Sequence, residues 1–160
     1  MNHDNYDDKY IIKVLRDTKT VAMVGASANW NRPSFFAMKY MQQKGFRVIP
    51  VNPGISGQEI LAEKVVANLD EIDASIDMVD IFRNSEAAGA ITDEAIKAGA
   101  KIVWMQLGVR NDEAAKRAED AGLRVVMNRC PKIEYARLYG ELSWHGINSY
   151  VITSKRRKLA

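Results

Sequence analysis

Val21-Ala22-Met23-Val24-Gly25-Ala26-Ser27 is an apolar run that stops at a glycine and continues in small residues. A buried strand that ends in such a turn and opens a helix is how parallel α/β domains hold phosphate. Backbone amides and the positive end of the helix dipole face the anion, and small side chains let it approach. What the turn lacks is also informative. A dinucleotide fingerprint beginning at Gly25 would place glycine at positions 27 and 30, where this chain has Ser27 and Trp30. The turn therefore suits a nucleotide-type ligand other than ordinary NAD.

Outward from the turn, strand and helix alternate. Tyr10-Ile11-Ile12 with Val14-Leu15 has the apolar spacing of a short amphipathic helix, and residues 19–24 read as a strand. Pro33 suits a first helical turn, where its missing N–H costs nothing. Asn31 or Arg32 would precede a helix carrying Phe35, Phe36, Met38, Tyr40 and Met41 and stopping at Gly45. Residues 46–51 read as a second strand, closed by Asn52-Pro53-Gly54, and 55–69 as an irregular stretch with extended pieces at 57–61 and Val65-Val66. A third strand is expected at 77–82, then a helix over 86–98 capped by Ser85 and ended by Gly99. A fourth strand at 101–105, a helix at 111–121, a fifth strand at 123–127 and a helix from Pro131 through Leu138 complete the pattern. Strands separated by helices of this length pair in parallel through right-handed crossovers. The expected fold is α/β: a doubly wound, mostly parallel five-stranded Rossmann-like sheet with helices on both faces, its core at about residues 10–138. Tyr150-Val151-Ile152 is a candidate edge strand.

Composition bounds the class. A chain of 160 residues, 47% hydrophobic and 27% charged, suits one soluble globular domain. Its apolar runs fall short of the roughly 18 residues of a membrane span, and Met1-Asn2-His3-Asp4 lacks the basic-then-apolar pattern of a secretory signal. The lone cysteine, Cys130, excludes an internal disulfide and suits a reducing cytoplasm, the expected location. The basic tail at 154–158 holds Lys155-Arg156-Arg157-Lys158 within a modest net charge of +3. It reads as a solvated tail; nucleic-acid binding is the alternative, without a supporting basic or aromatic pattern elsewhere.

In open parallel sheets the ligand crevice lies beyond the carboxyl ends of the strands. Those ends are Gly25-Ala26-Ser27, Asn52-Pro53, Phe82-Arg83-Asn84, Gln106-Leu107-Gly108 and Asn128-Arg129-Cys130, a binding surface rather than a catalytic array. Enzymes that use NAD usually carry Asp or Glu after the second strand to grip the ribose diol, whereas this chain has Asn52. Arg32 and Arg83 flank the expected phosphate region and offer planar forks of donors; surface ion pairing is their alternative role.

Six segments carry a family resemblance: Val24-Gly25-Ala26-Ser27, Arg32-Pro33-Ser34, Val48-Ile49-Pro50-Val51-Asn52-Pro53, Val79-Asp80-Ile81-Phe82-Arg83, Trp104-Met105-Gln106-Leu107-Gly108 and Asn128-Arg129-Cys130-Pro131-Lys132. In this order they resemble the small stand-alone bacterial CoA-binding proteins, Rossmann-like domains similar to the nucleotide-binding half of the succinyl-CoA synthetase alpha subunit. The resemblance implies that Gly25, Ala26 and Ser27 contact the CoA pyrophosphate, with Arg32 and Ser34 nearby. It further implies that Asn52 and Pro53 border the adenosine, and that Phe82, Arg83, Gln106 and Gly108 line the rest of the groove. Family members often carry an acidic residue at the position of Asn128, which stays outside the expected site.

The synthetase reaction needs a phosphorylated histidine from a second domain, and the histidines here are His3, near the terminus, and His145. The sequence shows no metal-ligand cluster, no Gly-x-Ser-x-Gly elbow and no Walker lysine. Cys130 could form a mixed disulfide with CoA if its thiol were activated; a buried, inert role is the alternative. Trp104 and the pair Phe35-Phe36 are expected in the core. The expected function is binding of CoA or an acyl-CoA by a module without catalytic residues or metal, with a small molecule as partner and no membrane. The competing reading is an oxidoreductase using NAD(P) through a modified turn.

Overall fold

The central strands are rich in apolar residues on both faces, so each face of their sheet must be covered. The computed structural model describes residues 1–139; His145, the candidate strand at 150–152 and the basic tail lie outside the described residues. In chain order the elements are α1 (Asp8–Arg16), β1 (Thr20–Val24), α2 (Pro33–Gln43), β2 (Arg47–Val51), β3 (Glu59–Ile60), β4 (Glu63–Lys64), β5 (Met78–Ile81), α3 (Ser85–Lys97), β6 (Ile102–Met105), α4 (Asp112–Asp120), β7 (Arg124–Val126) and α5 (Pro131–Leu138). Five strands form one parallel sheet in the order β2-β1-β5-β6-β7, and β3 and β4 form a separate two-stranded antiparallel pair within the stretch read as irregular.

Alternation along the strands sorts the core into two layers. Ala22, Val79, Val103 and Val125 pack against small residues of α3 (Ala88, Ala95) and α4 (Ala114, Ala118). Val21, Met23, Met78 and Trp104 pack against Ile11, Val14 and Leu15 of α1 and Met38 and Met41 of α2, with Tyr135 and Leu138 of α5 alongside. The sheet is therefore doubly wound. β1 and β5 are neighbours, yet β1 leads into α2 on one face and β5 into α3 on the other. The two connections diverge, and a crevice opens between their starts.

Local chemistry sets the helix starts. Asn84 Oδ1 accepts from Ala87 N at 2.8 Å and Asn111 Oδ1 from Ala114 N at 2.9 Å. The cap of α3 is thus Asn84 rather than Ser85, because the residue in extended geometry is the one whose side chain reaches the first-turn amides. Ser85 is the first helical residue, and its hydroxyl accepts from Arg110 N at 3.0 Å. Helix α2 starts with Pro33 after an uncapped Arg32.

Both sheet edges are closed off. On the β7 side, Tyr10 Oη donates to Val125 O at 3.0 Å and accepts from Val125 N at 3.2 Å, while Tyr6 Oη accepts from Met127 N at 2.7 Å. On the β2 side, Val66 bridges to Val51, donating to Pro50 O and accepting from Asn52 N. Pro50 has no N–H of its own to leave unpaired, which suits it to an edge strand. Among the described residues no helix is long and apolar enough to cross a membrane.

Candidate functional site

The turn after β1 is built around a glycine whose backbone and close contacts disfavour any side chain. Gly25 has φ +89°, and a Cβ there would stand 2.9 Å from Phe82 O and 3.0 Å from Arg83 Cδ. The stem of Arg83 therefore lies across the turn. Gly25 N donates to Val51 O at 2.9 Å, which ties the turn to β2.

Asn52, at the end of β2, uses both ends of its amide. Nδ2 donates to Ala26 O at 2.8 Å and Oδ1 accepts from Gly54 N at 2.9 Å. A carboxylate could make the second bond but not the first, since it has no proton to donate. The missing acidic residue at this position thus has a structural reason: the amide latches the two loops together. Ser34 is buried, and its Oγ accepts from Ser27 N at 3.2 Å, while Ser27 Oγ accepts from Asn29 N at 3.1 Å. These serines fix the turn against α2. The amides of Ala26, Ala28 and Ser34 have no protein acceptor among the described residues.

Arg32 and Arg83 are exposed, and among the described residues neither is in an ion pair. Arg16, Arg110, Arg117, Arg124 and Arg137 all have carboxylate partners. Unpaired guanidinium groups beside a turn with free amides are suited to phosphate oxygens.

Two cavities open on opposite faces of this end of the sheet and share Arg83. One, about 490 Å³, lies on the α3 side and is lined by Gly25, Asn52, Pro53, Asn68 and Glu94. The other, about 540 Å³, lies on the α2 side and is lined by Phe36, Phe82, Gln106, Leu107 and Cys130. The structure thus brings Gly25, Asn52 and Pro53 onto one cavity and Phe82 and Gln106 onto the other, with Arg83 on both; taken together, the two outline a bent groove. Ala26, Ser27, Arg32, Ser34 and Gly108 line neither cavity. Gly108 N donates to Asn128 Oδ1 at 2.8 Å, so this pair joins the loops after β6 and β7. Phe35 packs at the core, but Phe36 is 47% exposed at the rim of the larger cavity. The helix turns successive side chains about 100° apart, so the pair cannot share one face. Trp104 is fully buried, and its Nε1 donates to Arg129 O at 2.8 Å.

Beneath the larger cavity sits a residue that the strand-end reading passed over. Asp80, in the middle of β5, is completely buried, and Gln106 Nε2 donates to its Oδ1 at 2.9 Å and Oδ2 at 3.1 Å. Burial pushes its carboxyl up to about 7, against the pull of the Gln106 hydrogen bonds. The available signal was an acidic residue inside the apolar run Met78-Val79-Asp80-Ile81. Cys130 precedes α5 and lines the same cavity; burial pushes its thiol up, which disfavours the reactive thiolate. Among the described residues no group of three or more His, Cys, Asp or Glu could hold a metal ion.

Comparison with known proteins places this chain in a family. The uncharacterized protein YneT of Bacillus subtilis (strain 168) is 38% identical over 126 residues, covering 79% of this chain and 92% of YneT. A hypothetical protein of Pyrococcus horikoshii OT3 has a similar structure, with TM-score 0.81, 38% identity and coverage of 88% of this chain and 97% of that one. Cell-free ID.343 from Thermus thermophilus is similar too, with TM-score 0.79, 34% identity and coverage of 83% and 99%. The family pattern described as CoA binding domain matches residues 19–136, from the start of β1 into α5. With its turn, latch and groove all inside that span, the chain belongs to the CoA binding domain family.

Proposed function

We propose that the protein binds coenzyme A or an acyl-CoA along the bent groove and acts as a binding or regulatory module rather than as an enzyme. The observation that carries this reading is the position of Arg83. It crosses the Gly25 turn and lines the cavities on both faces of the sheet. A ligand with a pyrophosphate at its middle and a different group at each end matches that plan. The pyrophosphate sits at the turn, facing the free amides with Arg32 and Arg83 beside it. The adenosine occupies the side of Asn52 and Pro53, and the pantetheine arm runs past Phe82 towards Gln106.

The NAD(P) reading draws no support from the site. Asn52 spends both ends of its amide on backbone groups, which leaves no grip for a ribose diol at the usual place. In support of the non-catalytic part of the proposal, burial pushes the Cys130 thiol up, which disfavours the reactive thiolate.

Native mass spectrometry tests the proposal. The protein should gain the mass of one CoA per chain and should not retain NAD under the same conditions. Retention of NAD in preference to CoA overturns the ligand assignment. Incubation with acetyl-CoA should return it intact, and turnover faster than the protein-free control overturns the non-catalytic part alone.

A further inference from the structure

Gln106 is buried to within 6% of its surface, yet only one end of its amide is used. Nε2 is turned inward and bridges both oxygens of Asp80. The side-chain oxygen has no donor among the described residues, and Gln106 lines the larger cavity. Which end faces the cavity is set chemically. An ionised carboxylate only accepts hydrogen bonds, so it must hold the nitrogen and leave the oxygen towards the space above. In its ionised form Asp80 is therefore a buried charge with a directional consequence at the surface of the groove.

We propose that Asp80 is a positioning residue that fixes the polarity of the cavity floor: it holds Gln106 with its nitrogen inward and its oxygen outward, so that the cavity takes a chain presenting an N–H donor. The amide-bearing arm of CoA is such a chain, and the inference rests on the CoA reading of the groove. A ligand arm that offers only acceptors at this point meets an oxygen and is rejected, because a buried acceptor left without a donor is costly. The device thereby selects for the arm, independently of the phosphates.

Protonation of Asp80 supplies a readout that a purely structural residue would lack. The protonated carboxyl can donate to the Gln106 oxygen, which lets the amide turn over and present its nitrogen to the cavity. The titration can be assigned. The register neighbours of Asp80 on β1 and β6 are Met23 and Trp104, and the buried α2 residues on that side, Ser34, Ala37 and Met38, do not titrate either. From the α5 side, Cys130 is held above its ordinary range by burial, and the Lys132 side chain lines the same cavity.

The test compares CoA with adenosine 3′,5′-bisphosphate, which carries the 3′-phosphate but lacks the arm, in binding titrations from pH 6 to pH 8.5. For the unmodified protein, the preference for CoA should fall as the pH drops through about 7, while the bisphosphate shows no matching step. Asp80→Asn can pair with Gln106 in either sense. It should bind CoA about tenfold more weakly, keep its affinity for the bisphosphate and lose the pH step. Equal loss of both ligands, or an Asp80→Asn protein with unchanged CoA affinity, overturns the inference while leaving CoA as the ligand. Failure of the unmodified protein to bind CoA overturns both. The pH profile of the unmodified protein needs no variant, and a flat CoA preference across the range also overturns the inference.

Discussion

At the scale of single residues, Gly25 and Asn52 do different work in the same turn. Gly25→Ala forces a side chain into a left-handed backbone and against Phe82 O, so it should cost on the order of 1–3 kcal/mol and abolish CoA binding. Urea unfolding and a CoA titration check the two effects separately. Asn52→Asp removes the donor to Ala26 O and sets a carboxylate against a carbonyl. It should lower stability by about 1–3 kcal/mol without introducing NAD binding. Arg83→Ala should weaken CoA binding on the order of tenfold and flatten its salt dependence. Arg47→Ala, an exposed arginine at the opposite end of the strands, should leave binding unchanged. The glycine turn was legible because φ and close approach leave a residue-type signature. Asp80 was not, because the reading looked past the strand ends, and a buried carboxylate within a strand has meaning only once its partner is placed opposite it. Asn52 was read as a missing acid and, by resemblance, as a border of the adenosine; its latch was not read, since a side chain's partner 26 residues away cannot be seen in its own segment.

At the scale of elements, apolar runs and helical spacing were enough to find all five α-helices of the described residues and the five parallel strands, with Gly25, Pro33, Gly45, Gly99, Gly122 and Pro131 marking several of the boundaries. The pair β3 and β4 stayed hidden: two-residue strands have no period to read. The caps show a related limit. Asn84 and Ser85 are both good capping residues, and only the backbone geometry decides between them. The edge of β7 depends on hydroxyls from a different element. Tyr10→Phe strips Val125 of both of its side-chain bonds and should cost about 1–2 kcal/mol, read as a lower urea midpoint with an unchanged slope. Burial pushes the Tyr10 hydroxyl up to about 12, so this contribution should persist through mildly alkaline pH.

At the scale of the whole molecule, the buried carboxylate sets function against stability. The carboxyl of Asp80 in the folded protein lies above its ordinary value of 3.8, so the folded state binds the extra proton between about 4 and 7. Its cost is absent below that window, grows as the pH rises through it and is complete above about 7. Asp80→Asn should therefore stabilise the protein at pH 8, on the order of a few kcal/mol, and by much less at pH 5. Asp77 behaves oppositely. Burial alone would raise its carboxyl, but Lys101 and the amides of Lys19 and Thr20 hold it below the usual range. Its contribution is present above the ordinary carboxylate value and is lost as the pH falls through the lowered one. A residue that destabilises the fold yet is kept beneath the groove fits a role in recognition.

The central claim is that the groove at the divergence of β1 and β5 is a CoA site. Thermal unfolding with CoA or NAD at matched concentrations tests it most directly, because only a ligand bound to the folded state raises the midpoint. At about one hundred times the dissociation constant, CoA should add about 2.7 kcal/mol, a rise of roughly 5–10 °C, with little or no shift from NAD. An NAD shift equal to or larger than that of CoA would contradict the account.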